Sequence, residues 1–212
     1  MAQYMSANQG ILFQSSIIIA LGSNLSGPWG SPQETLQRAV RELASRGIKI
    51  ERTSKLYRTK AHGEINQPDF LNAVASVDSS LSADALLRVL KRIEAQAGRI
   101  LTIKHHHADH RWAPRPLDLD IVSYKGLVRN WLMGHPAKDA KLILPHPRAH
   151  ERAFVLRPLA EAVPRWHHPV LGLTPAALLA RPTVRATGAI LDLDKPLNEE
   201  WTLRQGHNIA SN

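Results

Sequence analysis

The stretch from Ser16 to Gly47, SIIIALGSNLSGPWGSPQETLQRAVRELASRG, decides the reading of the fold. Residues 16–21 form a continuous run rich in β-branched side chains, closed by the turn Gly22-Ser23-Asn24, which is the pattern of a buried strand. Ser31-Pro32-Gln33-Glu34 follows as a capping box with proline at the first helical position. Leu36, Ala39, Val40, Leu43 and Ala44 then recur at i, i+3, i+4, i+7 and i+8, so a helix is predicted to about Arg46, with Gly47 as its stop.

Working outward, Ile48, Ile50 and Leu56 alternate with polar residues through 48–59, and 70–77 alternates around Leu71, Ala73, Ala75 and Val77. These predict two strands joined by a long loop. Ser82 caps a second helix whose Leu86, Val89, Leu90, Ile93 and Ala97 share one stripe, closed by Gly98. Residues 117–124 read as another strand. The order β, α, β, β, α, β predicts an α+β domain of ferredoxin-like βαββαβ type, an antiparallel sheet with both helices on one face plus C-terminal additions. Those additions are a short strand at 142–144 and short helices at 148–156 and 174–180. The chain thus divides into an N-terminal extension (1–15), one domain (16–180) and a C-terminal tail (181–212) of little periodicity.

Composition narrows the chemistry. The 212 residues include no cysteine, which removes disulfides, thiolate metal sites and thiol nucleophiles. A surplus of 27 basic over 18 acidic residues, net +9, favours an anionic partner without choosing among nucleic acid, phosphorylated metabolites and acidic surfaces. The longest apolar run, residues 17–21, is far short of the roughly 18 residues of a membrane span. No Lys or Arg precedes Arg38, so neither a secretory signal nor a mitochondrial presequence is expected, and the expectation is a cytoplasmic protein without a membrane partner.

The sharpest local feature is the run from Arg111 to Ile121, RWAPRPLDLDI, in which Asp118 and Asp120 sit two apart in an otherwise apolar strand. Period-2 geometry points both to one face, where two adjacent carboxylates offer a cation-binding pair. Oxygen ligands without cysteine favour Mg²⁺ over softer metals. A D-x-D pair alone also occurs on solvated strand faces. Here, however, Arg99, Arg111 and Arg115 lie upstream and His146, Arg148 and Arg152 downstream. Cations around a metal-binding carboxylate pair suit a polyphosphate, because phosphoryl transfer is catalysed mainly by positioning and charge neutralisation.

Six colinear segments carry a resemblance to a family: 20–25 (ALGSNL), 57–59 (YRT), 67–73 (QPDFLNA), 92–94 with 98–99 (RIE, GR), 111–121, and 144–147 with 152–154 (LPHP, RAF). Together they resemble the 6-hydroxymethyl-7,8-dihydropterin pyrophosphokinases of folate synthesis, over about residues 16–180. The resemblance implies transfer of a pyrophosphoryl unit from ATP to the pterin hydroxymethyl group, with AMP as second product. It implies two Mg²⁺ ions held by Asp118 and Asp120, with a metal lowering the pKa of the attacking hydroxyl, and it names Arg99 and Arg115 as catalytic cations. Phe70 and Phe154 would sandwich the pterin, Asn72 would bond its edge, Gly22 and Thr59 would line its pocket, and Trp112 would sit in a mobile loop beside it. Glu94, Ile121, Lys141, Leu142 and His146 would surround the ATP, with Arg99, Arg115 and Arg152 on its phosphates. Phe70 and Asn72, at i and i+2 of a strand, share one face independently of the resemblance.

The chain departs from the family pattern at Lys60, His62, Ala113 and Pro147, in a longer segment between Arg99 and Arg111 that holds His105, His106, His107 and His110, and in an extended segment 127–140 that includes Trp131 and Met133. Two other classes compete. A ferredoxin-like nucleic-acid-binding module fits the charge, but aromatic residues make up only 5 %, no aromatic-rich strand motif is present, and such a module has no use for two acids among its cations. A nucleotidyltransferase would place its Gly-Ser turn close to the acids, whereas Gly22-Ser23 and Asp118 lie far apart in sequence. The expected partners are therefore the small molecules ATP and a reduced pterin, with no nucleic acid.

Overall fold

The computed structural model describes residues 16–60, 67–99, 114–137, 140–185 and 190–197. Strand β1 (Ile17–Ser23) leads into helix α1 (Pro32–Ser45), followed by β2 (Lys49–Thr53), β3 (Lys55–Thr59) and β4 (Phe70–Asp78). Helix α2 (Ala83–Gln96) and strand β5 (Asp118–Tyr124) complete the βαββαβ order. The sheet runs β5-β1-β4-β3, with β2 also on β4, and every pairing is antiparallel. This is the ferredoxin-like arrangement.

Local chemistry explains the elements. The Ser31 side chain accepts from the Glu34 amide while the Glu34 carboxylate accepts from the Ser31 amide at 2.8 Å, which satisfies donors that open the helix. At the end of α2, Gly98 has φ +93° and its missing Cβ would stand 2.5 Å from Pro28 Cδ, so both the backbone angle and the packing require glycine. The segment 48–59, read from sequence as one strand, is two strands broken at Ser54. That residue is buried, and its amide donates to Val74 O at 2.9 Å while its hydroxyl accepts from Val74 N at 3.0 Å. A side chain thus replaces one rung of the ladder, and the strand bends there.

Alternation along the strands divides the core in two. Ile17, Ile19 and Leu21 of β1, Ala73, Ala75 and Val77 of β4, and Leu119 and Ile121 of β5 pack beneath Leu36, Val40 and Leu43 of α1 and Leu86, Leu90 and Ile93 of α2. The opposite face presents Ile18, Val74 and Val122. It is covered by helix α3 (Ala153–Ala162) through Val155, Leu156 and Leu159, and by Trp166. The predicted helix at 148–156 is therefore a short 3₁₀ turn (Ala149–Glu151) followed by a longer α3, and it builds a third layer on the far side of the sheet.

The remainder includes the hairpin β6 (Trp131–Leu132) and β7 (His135–Pro136), and the short helices α4 (Pro175–Leu179) and α5 (Pro182–Arg185). The predicted strand at 142–144 is a single bridge, Arg129 to Leu144. The largest difference from the sequence reading lies in the tail. Strand β8 (Ile190–Pro196) pairs antiparallel with β3 and becomes the outer edge of the main sheet. A boundary at 181 therefore cuts through residues that share one sheet.

Candidate active site

A cavity of about 170 Å³ opens on the face of the sheet that carries α3. Its floor follows from parity: Asp118 and Asp120 of β5, Ala20 and Gly22 of β1, and Phe70 and Asn72 of β4 all point this way. Gly22 is the register partner of Asp118 on one side and of Asn72 on the other. A Cβ at Gly22 would lie 3.4 Å from Asn72 Oδ1, 3.9 Å from Asp118 Cβ and 4.0 Å from Phe70 Cδ1. Glycine at this point keeps the floor open between a carboxylate and an amide.

The two ends differ in chemistry. At one end, Asn72 Nδ2 donates to Thr59 Oγ1 at 2.8 Å, which fixes the amide with its oxygen over Gly22 and leaves the Thr59 hydroxyl hydrogen to donate outward. Phe70 and Phe154 line the same space. At the other end, Asp118 is bridged by two guanidinium groups: Arg99 Nη1 donates to Oδ1, and Arg115 Nη1 to Oδ2 at 3.2 Å. Burial pushes the Asp118 carboxyl up, but Arg99 and Arg115 outweigh it and hold the group below the usual carboxylate range. Arg152 and Arg148 close the cavity from the segment before α3, with Arg152 stacked 5.6 Å above the Phe154 ring.

Arg115 and His146 are set in place through their backbones. Arg115 N donates to Asn24 Oδ1 at 2.8 Å, Asn24 N donates to Arg115 O at 3.2 Å, and Asn24 Nδ2 donates to Pro68 O at 3.2 Å. The buried Asn24 therefore pins the approach to β5 against the approach to β4. His146 N donates to Val122 O at 2.9 Å, which runs this segment along the outer edge of β5 and sets His146 Nε2 3.9 Å from Asp120 Oδ2. Burial and Arg152 hold that imidazole below its ordinary pKa against the pull of Asp120.

The structure gathers Gly22, Thr59, Phe70, Asn72, Arg115, Asp118, Asp120, Arg152 and Phe154 around one cavity. Arg99 reaches it through Asp118, and His146 stands beside Asp120. Other expected residues lie elsewhere. Glu94 is 0 % exposed on the helix side of the sheet, where it accepts from Leu119 N at 2.8 Å and pairs with Lys91 at 2.7 Å and Arg99 at 3.0 Å. The side chains of Ile121 and Leu142 are in the core under α1 and α2, and Lys141 is exposed and outside the cavity lining. Trp112, with Arg111 and the histidine-rich run 105–110, lies outside the described residues.

Lys60, Glu151, Val155 and Ile190 also line the cavity, as does Arg148, one of the cations that the sequence places around the carboxylate pair. Of these, Glu151 adjoins Arg152 in sequence. Ile190 stands directly before the alternating run 191–194, and only its pairing with Thr59 brings it to the cavity.

A model of the family 7,8-dihydro-6-hydroxymethylpterin-pyrophosphokinase (HPPK) matches residues 18–164. The chain belongs to the HPPK family. A 2-amino-4-hydroxy-6-hydroxymethyldihydropteridine pyrophosphokinase of Synechocystis is 35 % identical over 193 residues, covering 89 % of each chain. One from Methylorubrum extorquens is 38 % identical over 147 residues, covering 69 % of this chain and 81 % of the relative. A crystal structure of Plasmodium falciparum HPPK-DHPS superposes with a TM-score of 0.53 at 15 % identity, covering 84 % of this chain and 46 % of that one, which supports the fold. The chain likewise spans only 26 % of a folate synthesis bifunctional protein of Arabidopsis thaliana. Among the described residues no helix is long and apolar enough to cross a membrane.

Proposed function

We propose that this HPPK transfers the pyrophosphoryl unit of ATP to 6-hydroxymethyl-7,8-dihydropterin in the cavity above Gly22, with the pterin at the Phe70–Asn72–Thr59 end and the triphosphate at the Asp118–Asp120 end. The observation that carries this reading is the row Asp118, Gly22, Asn72 across three paired strands. Directly opposed residues of antiparallel neighbours stand about 5 Å apart, so the row spans the length of a bicyclic heterocycle and ends at the carboxylates.

A flat pterin with donors and acceptors on its rim suits the space between Phe70 and Phe154, where the Asn72 amide oxygen and the Thr59 hydroxyl are presented. The other end suits a magnesium-bound triphosphate. Asp118 and Asp120 offer only oxygen donors, and each carboxylate oxygen keeps lone-pair capacity beyond one arginine bond. They would hold two Mg²⁺ ions, which when bound neutralise the phosphate oxygens and favour the ionised hydroxyl.

The rest is done by this chain. Arg115 and Arg152 bind and orient the phosphates, and Arg99 keeps Asp118 ionised and in place. Phe70, Phe154 and Asn72 aim the hydroxymethyl oxygen along the floor toward the β-phosphorus. The new bond forms between that oxygen and the β-phosphorus, the bond from the α,β-bridging oxygen to the β-phosphorus breaks, the hydroxyl proton is released, and AMP leaves. Arg115 and Arg152 face the charge that builds on the departing AMP and on the transferred group.

The test is AMP formation from ATP and Mg²⁺ with and without the pterin, using Asp120→Ala as the blank. Pterin-dependent AMP that disappears in the variant is expected. ADP as product, or AMP formation that ignores the pterin, would refute the assignment.

A further inference from the structure

The match to the HPPK family model ends at residue 164, yet β8 begins at Ile190 and reaches the cavity. The register places it there. On β3, Thr59 is paired with Phe70 of β4 on one side and with Ile190 of β8 on the other. Directly opposed residues on antiparallel strands point to the same face, so Ile190, Thr59 and Phe70 form a second row beside the one that runs from Asp118 to Asn72. Ile190 is half-buried, packs on the apolar cluster beneath α3 that also touches Phe154, and lines the cavity. Without β8, the outer edge of β3 would present its backbone groups to water at Thr59.

We propose that β8 is a working wall of the pterin end of the cavity and that Ile190 is a specificity-determining residue. Its alkyl chain closes the edge beyond Thr59, meets the rim of the flat heterocycle, and keeps water from the hydrogen-bonded pair Asn72–Thr59. This rests on the assignment of the Phe70–Asn72–Thr59 end to the pterin. Two physical effects follow. Apolar contact adds to ligand binding directly. Exclusion of water also strengthens the bonds that Asn72 and Thr59 make to the ligand, because hydrogen bonds gain in a drier surrounding. Both act on the pterin and neither acts on the triphosphate, which lies on the far side of Gly22 from β8. The strand therefore does more than complete the sheet, and its influence is confined to one substrate.

The experiment compares Ile190→Ala, Ile190→Val and Lys195→Ala in the full chain, reading KM for pterin and ATP, kcat, pterin dissociation constants by intrinsic ligand fluorescence, and Tm. Lys195 is on the same strand, exposed, and not part of the cavity lining. Ile190→Ala is expected to raise the pterin KM and dissociation constant together by about tenfold, the lower end for alkyl groups lost from an apolar pocket, and to leave the ATP KM unchanged. Ile190→Val is expected to retain most of the binding, with a rise of about two- to threefold, the scale for one partly buried methylene, and it carries the test if the alanine variant fails to fold. Lys195→Ala should match the wild type.

An Ile190→Ala protein with wild-type pterin binding would overturn the proposal, as would a parallel rise in both KM values, the mark of a strand that only stabilises the sheet. If the wild type neither binds the pterin nor forms pterin-dependent AMP, the site assignment fails and takes this inference with it. If the wild type does both and the variants do not differ from it, this inference alone fails.

Discussion

Replacing Gly22 by alanine separates the stability of the sheet from the use of its cavity. Gly22 lies in a strand and does not have the positive φ that would exclude a side chain, so the backbone accepts alanine. The new methyl would meet Asn72 Oδ1 at 3.4 Å and the Asp118 and Phe70 carbons at 3.9 and 4.0 Å, which are tolerable contacts in the empty protein. Alanine in a strand interior is favoured over glycine by roughly 0.5–1 kcal/mol, which for a chain of this size raises Tm by a few degrees at most. With a ligand on the floor the same methyl becomes an overpacking defect of about 1–3 kcal/mol, or roughly 5- to 150-fold in affinity. The expected outcome is a Tm equal to or slightly above that of the wild type together with a pterin KM at least fivefold higher. Thermal unfolding and steady-state kinetics with each substrate varied in turn check it. A lowered Tm would show that the strand does not tolerate the methyl. An unchanged pterin KM would show that the ligand does not lie on Gly22.

Three further outcomes follow from the geometry. Arg115→Ala should lower kcat/KM by about 2–4 kcal/mol of transition-state stabilisation, as expected for a preorganised charge on the transferring group, and an unchanged value would mean that the guanidinium does not face the phosphates. Glu94→Ala should destabilise the protein by about 1–3 kcal/mol, because it leaves the buried Leu119 amide unpaired while Arg99 keeps Asp118 and Lys91 keeps Leu119 O; urea unfolding measures it, and a stable variant with only a raised ATP KM would return Glu94 to the nucleotide. His168 supplies a pH dependence. Burial, reinforced by His150 and Arg181, lowers its pKa to about 4. The unfolded chain, with a value near 6.5, then binds the proton first, so its contribution is complete above about pH 6.5 and is lost as pH falls toward 4, a total of about 3 kcal/mol. His168→Asn, which keeps an acceptor for the Val170 and Leu171 amides, should flatten the slope of stability between those pH values; equal slopes in the two proteins would refute it.

The parts of the fold legible in the sequence were those written in local chemistry. The capping box at Ser31, the glycine stop at Gly98 and the alternation through β4 each act over a few residues, and each appears where the pattern puts it. The same alternation brought Asp118 and Asp120 to one face. What stayed hidden depends on long-range pairing. Ser54 breaks a strand because its hydroxyl meets Val74, and β8, although Leu191, Asp192, Leu193 and Asp194 alternate along it, takes its place in the sheet only from its pairing with β3. Glu94 falls in the same class. Its spacing from Leu90 and Ile93 puts it on the buried stripe of α2, but only the arrival of β5 shows that Leu119 satisfies the carboxylate there.

The central claim, that one cavity holds the pterin at the Asn72 end and performs the transfer at the Asp118 end, is tested most directly by measuring pterin binding and AMP formation together in Asn72→Leu and Asp118→Asn. The asparagine keeps one acceptor oxygen, enough for Arg99 or Arg115 but not for both, while removing the charge. The account predicts that Asp118→Asn binds the pterin as the wild type does and loses turnover by a factor on the order of 100–1,000, the scale for removing one preorganised electrostatic group, whereas Asn72→Leu loses pterin binding and keeps its affinity for ATP. Wild-type turnover in Asp118→Asn, or unaltered pterin binding in Asn72→Leu, would contradict it.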